Sequence, residues 1–196
     1  MKTLILDGHK LLWHQDRVEA WLRGERIAPI TIECALTRQC CYRCIYCYGQ
    51  LQENPGEALT RPQILRFLDD AAEIGVRSIA LIGDGENACG PYLEEAVVHG
   101  RNAGMAMGLG TNGYLLDRFD LNAILSSLTY LRFNISAADV RRYATIHGCR
   151  EECHAKVLET IRTCVALKRK HGHGVTLGLQ MVLMPEFKDQ ILPLAG

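Results

Sequence analysis

Five short apolar runs recur along the chain: ITIECALT (30–37), SIALIG (78–83), MAMGLG (105–110), YLRFNIS (130–136) and VTLGLQMVL (175–183). Each has the length of a strand, and the middle ones are apolar enough to be buried on both faces. Helix-patterned segments separate them. Thr60-Arg-Pro-Gln63 has the form of a capping box with proline in the first turn, and Ile64, Leu65, Leu68 and Ala72 fall on one side of the helix it opens. Pro91 opens a second helix to about 103, and a third runs from about 120 to 128. The longest spans about 151–171, with Ala155, Leu158, Ile161 and Val165 as an apolar stripe. Its acidic start and its basic end, Lys168-Arg169-Lys170, match the helix dipole. FKDQIL begins another helix. Strands alternating with helices specify an α/β fold with a parallel sheet. Right-handed crossovers leave an open doubly wound sheet or a closed or partial barrel.

In either shape, the loops at the carboxyl ends of the strands form the active face. The unusual residues collect there. CALTRQCCYRCIYCYGQ (34–50) follows the first strand, GDGEN (83–87) the second and TNG (111–113) the third. Asn134 and Ser136 end the fourth strand, and the region from Gln180 to Met184 ends the fifth.

The first of these loops crowds five cysteines, Cys34, Cys40, Cys41, Cys44 and Cys47, into fourteen residues. Cys40, Cys44 and Cys47 have the spacing C-x3-C-x2-C. Three thiolates so close together can converge on one centre. They suit a cube of four irons and four sulfides with one iron left open, where the closed cluster takes four cysteines. A structural zinc site or buried thiols are the competing readings. Zinc usually draws on separated C-x2-C knuckles. No second such pair is present; Cys149 and Cys153, at i and i+4 on the long helix, offer only a weak one.

TRQCCYRCIYCYG resembles the cluster loop of the radical S-adenosylmethionine (radical SAM) enzymes, with Cys40, Cys44 and Cys47 at the three ligand positions and Tyr46 at the aromatic beside the SAM adenine. IGDGENA (82–88) resembles the family's GGE-type motif, which contacts the SAM amino group; Gly83 or Gly85, with Glu86, carries that over, and Asp84 departs from the family's glycine. TNG and the serine of NIS also recur in the family. The resemblance covers about residues 30–185 and implies a partial (β/α)6-type barrel, a [4Fe–4S] cluster and SAM. It implies that a reduced cluster cleaves SAM to methionine and a 5′-deoxyadenosyl radical, which takes hydrogen from an organic substrate such as a peptide or a sugar. It further implies an electron donor such as flavodoxin or ferredoxin. The SAM pocket is expected from Tyr46, Gly83, Gly85, Glu86, Thr111, Asn112, Asn134, Ser136 and Gln180. The alternative function is a non-catalytic iron–sulfur or zinc module that carries electrons or organises a partner.

Two domains are expected: a lead-in segment, 1–29, closing the barrel bottom, and the core, 30–196. LPLAG ends the chain just after a helix begins, without a cap, which reads as a core incomplete at its C-terminus. Lys plus Arg and Asp plus Glu both number 22, so no net charge favours nucleic acid. No apolar run approaches the roughly 20 residues that span a bilayer, and the start, MKTLILDGHK, is apolar for only three residues before Asp7, too short for the apolar region expected of a secretory leader. A reducing cytoplasm is expected, where nine cysteines point to metal or buried thiols and not disulfides. GLGTNG (108–113) fits G-x-G-x-x-G, but it follows the third strand and lacks an acidic residue near position 133 to hold a ribose.

Overall fold

The computed structural model describes residues 10–51 and 58–195. Five strands form one sheet: β1 (Thr31–Cys34), β2 (Ser78–Leu81), β3 (Ala106–Thr111), β4 (Leu128–Asn134) and β5 (Thr176–Gln180). Every neighbouring pair is parallel and the spatial order is the chain order, β1-β2-β3-β4-β5. A doubly wound sheet reverses direction part-way. This one never does, so it is an unclosed arc of a (β/α) barrel.

The helices lie before, between and after the strands along the chain. They are α1 (Gln15–Leu22), α2 (Arg61–Glu73), α3 (Leu93–Asn102), α4 (Leu121–Ser127), α5 (Val140–His147), α6 (Glu152–His171) and α7 (Ile191–Ala195). Helix α2 packs on α3, α3 on α4, and α4 on α6. The capping box forms as its sequence indicates, with the Thr60 N–H donating to Gln63 Oε1 at 2.9 Å. Ile64 and Leu68 of α2 belong to one buried core with Ile79 and Leu81 of β2, Met107 and Leu109 of β3, and Leu131 and Phe133 of β4. Because side chains alternate along a strand, the residues between these point to the other face.

Several boundaries shift. Strand β1 stops at Cys34, β2 at Leu81 and β5 at Gln180, short of 37, 83 and 183, because the chain leaves the ladder to build loops. The buried side of α6 is Cys153, His154, Val157, Thr160 and Cys164, one position from the expected stripe, of which Leu158 and Ile161 are half-buried against the core. Both stripes recur at helical spacing, and only the seat between two packing clusters selects one. Cys149 lies before α6, not on it. FKDQ belongs to a 3-10 turn, Pro185–Gln190, that leads into α7. Helix α5 was not expected at all, although Asp139 caps it by accepting from the N–H groups of Arg141 and Arg142, and Gly148 ends it in the left-handed conformation.

In the lead-in segment, Arg17 of α1 donates to the carbonyls of Ala28 and Gly75, both at 2.6 Å. Those residues precede β1 and β2, so α1 sits at the amino ends of the strands, the barrel bottom. Residues 1–9 of that segment lie outside the described residues. No helix among the described residues is long and apolar enough to cross a membrane.

Candidate active site

The loop after β1 is held by the unexpected helix. Helix α5 leaves its last carbonyls without intrahelical partners. Two of them accept from the cysteine loop: Arg43 N–H donates to the His147 carbonyl at 3.1 Å and Ile45 N–H to that of Ile146 at 2.9 Å. Gly148 is required at the contact. Its φ is +56°, and an added Cβ would stand 2.2 Å from the Arg43 carbonyl oxygen.

His147, fully buried, reaches the loop through its ring as well. Its Nε2 lies 3.2 Å from the Ser136 backbone N–H and its Nδ1 lies 3.3 Å from Cys44 Sγ. A backbone N–H can only donate, so Nε2 is the acceptor and Nδ1 carries the proton. The neutral imidazole therefore donates to the Cys44 sulfur. Burial, with the neighbouring His154, drives the His147 pKa down to about 4, which keeps this tautomer neutral. Burial also pushes the Cys44 thiol up to about 11, so binding a metal there must displace a proton. Tyr42, Tyr46 and Tyr143 pack around this histidine, and His154 packs on Tyr143.

The loops after β2 and β3 are laced to the same region. Gly85 has φ +89° and runs so close to the chain after β1 that a Cβ would stand 2.5 Å from the Thr37 carbonyl. Only glycine meets both demands. Glu86 N–H donates to the Gln39 carbonyl at 2.8 Å, and Asn87 accepts from Leu36 N–H at 2.8 Å. The buried Glu86 carboxylate accepts from Thr111 Oγ1 (2.8 Å), Asn112 N–H (2.6 Å) and Ala88 N–H (3.1 Å). Burial raises its pKa, and the three donors oppose that rise.

A cavity of about 640 Å³ opens over the carboxyl ends of the strands. Its wall includes Cys40, Cys44 and Cys47 together with Tyr46, Gly83, Gly85, Glu86, Thr111, Asn112 and Asn134. The expected site residues thus converge, except two. Ser136 is fully buried, and its Oγ accepts from Val182 N–H at 3.3 Å. Gln180, at the end of β5, is not part of the wall. Sequence reasoning missed His147 and Arg132, which do line the cavity. The Asp139…Gly148 pattern could have revealed α5 but not what its last residue touches. Gly108 and Gly110 lie inside β3, where no helix follows directly, so GLGTNG does not form a dinucleotide loop.

A model of the radical SAM superfamily matches residues 35–194. The chain belongs to the radical SAM superfamily. Among curated relatives, a GTP 3′,8-cyclase of Helicobacter pylori (strain HPAG1) is 29% identical over 169 residues, 83% of this chain and 50% of that one. A PqqA peptide cyclase of Granulibacter bethesdensis is 28% identical over 122 residues, 61% of this chain and 32% of the relative. The chain thus spans half or less of the length of these relatives. Streptococcus suis SuiB bound to S-adenosylmethionine superposes over the whole chain with a TM-score of 0.72 at 16% identity, using 44% of SuiB; at that identity the likeness concerns the fold.

Radical SAM proteins use a [4Fe–4S] cluster and SAM, and the residues present suit both. Three thiols face a shared cavity that also contains the loops expected to meet SAM. Among the described residues, no three His, Cys, Asp or Glu side chains converge on a point for a single ion. Three cysteines on one cavity wall suit a cluster that takes one thiolate per iron.

Proposed function

We propose that this chain is the core of a radical SAM enzyme that reductively cleaves SAM and removes hydrogen from an organic substrate, a peptide or a small metabolite. The observation that carries the reading is the single cavity whose wall contains Cys40, Cys44 and Cys47 beside Tyr46, Gly85, Glu86 and Asn112. Bound there, the cluster and SAM supply a one-electron route to a carbon radical, chemistry no side chain offers. The chain's part is to hold, orient and shield. Cys40, Cys44 and Cys47 would hold three irons, with His147 fixing the Cys44 sulfur. The Gly83–Glu86 loop and Asn112 would border the SAM amino acid, Tyr46 its adenine, and Asn134 its ribose. The buried tyrosines behind the loop exclude water from the metal side. A one-electron donor such as flavodoxin or ferredoxin would dock at the open cavity mouth.

The test is anaerobic reconstitution with iron and sulfide, followed by electron paramagnetic resonance of the reduced protein with and without SAM and an assay for 5′-deoxyadenosine. A cluster signal that changes on adding SAM, with 5′-deoxyadenosine formed, is the expected outcome. Cys44→Ala should abolish both. A cluster indifferent to SAM would return the protein to the electron-carrier alternative.

A further inference from the structure

The face of the sheet that the helices leave open has an unusual floor. Register places Gly110 of β3 and Gly178 of β5 on either side of Arg132 of β4, and Gly108 beside Tyr130. A Cβ at Gly178 would stand 2.5 Å from the Tyr130 hydroxyl, and one at Gly110 would stand 3.2 Å from Arg132 Nη2. Glycines therefore pave the concave surface, and two long side chains rise from it. Arg132 points into the same cavity as the three cysteines.

Among the described residues, Arg132 has nothing to hold. Its Nε is buried and has no hydrogen-bond acceptor. No hydrogen bond or ion pair is made by its guanidinium among the described residues, whereas Arg38 in the same wall faces Asp84 at 3.6 Å and the Glu86 carboxylate is already taken by three donors. A guanidinium partly withdrawn from water without an anion is costly, and a protein keeps such a group where a ligand completes it. Nε and Nη form a planar fork that matches two oxygens of a carboxylate or phosphate.

We propose that Arg132 anchors an anionic oxygen group of the substrate, a carboxylate or a phosphate, over the glycine floor of the barrel. This rests on the cavity being the reaction chamber proposed above, and it deepens that reading by naming the charge its substrate carries. Arg132 then fixes one end of the substrate while the carbon to be attacked faces the cysteine side. Small glycine neighbours give that end room to lie flat against the sheet.

The experiment uses the full chain carrying its cluster, saturated with SAM, and calorimetric titration with acetate and with inorganic phosphate at constant ionic strength. The unaltered protein should bind at least one of the two. Acetate would point to a carboxylate-bearing substrate and phosphate to a phosphorylated one. Arg132→Met should weaken that binding by about tenfold or more, the range for a charge-assisted hydrogen bond. Arg132→Lys, which keeps the charge but loses the fork, should recover part of it. Iron content and the spectrum of the cluster establish that each variant is folded and loaded, so a failure of the cluster reading shows separately. Equal anion affinity in Arg132→Met, no binding of either anion, or binding only when SAM is omitted would each overturn the proposal. The last result would mean that Arg132 belongs to SAM itself.

Discussion

The two faces of the sheet are built by opposite rules. On the helix side, Ile79, Leu81, Met107, Leu109, Leu131 and Phe133 are fully buried and form part of one apolar core. On the open side, the same strands carry Ala80, Gly108, Gly110, Tyr130, Arg132 and Asn134, leaving a hollow edged by polar groups. Alternation along each strand serves both faces at once, so stability and chemistry are written on alternate residues. The comparison teaches where a substitution should unfold the protein and where it should only disarm it.

Leu109→Ala should break the covered face hardest, destabilising the protein by about 2–5 kcal/mol in chemical denaturation. Gly110→Ala, one residue away on the open face, should cost under about 1 kcal/mol, since its new Cβ meets only side-chain atoms of Arg132 and Ile82. Equal losses at the two positions would erase the distinction. Gly148→Ala attacks the support behind the open face. It adds roughly 1–2 kcal/mol of left-handed strain to a collision with backbone, so the cysteine loop should lift from α5 and iron incorporation should fall sharply in the reconstituted protein.

Glu86→Gln should cost about 1–3 kcal/mol, because the amide nitrogen cannot accept from a backbone N–H that the carboxylate now satisfies. Weaker SAM binding with an unchanged cluster spectrum is the expected signature. Unaltered SAM affinity would remove Glu86 from the pocket and leave it as a tie between loops.

The smallest effect concerns His147→Phe. Losing an N–H···S bond worth ~1 kcal/mol to the thiolate should lower the cluster's reduction potential by about 40 mV, because such a bond favours the more negative, reduced state. Redox titration monitored by paramagnetic resonance checks it. A fixed potential would show that the bond does not persist once the cluster is bound.

Much of this architecture could be read from residue order. The five apolar runs specify a parallel α/β sheet because their length and burial pattern leave little else, and C-x3-C-x2-C with an aromatic before the last cysteine is specific by spacing alone. Thr60 and Gln63 declare a helix start through purely local chemistry. The apolar stripe of α6 is different, because two stripes of similar character wind around that helix and only its neighbours choose between them. Cys149 and Cys153 look like a helical pair until Gly148 is seen to end one helix before the next begins.

Periodicity, and spacing within a few residues, were enough to read the five strands, their parallel pairing, the long helices and the C-x3-C-x2-C run, whereas α5 and the order of the strands across the sheet were not legible that way. Packing across the whole sheet settled that the arc is a partial barrel with its concave side open, that His147 donates to Cys44 across 103 positions of chain, and that Arg132, between two glycines, has no partner among the described residues. The reason is physical. A hydrogen bond or an unmet charge depends on where distant strands fall in register, and register is set by packing of the whole sheet against its helices.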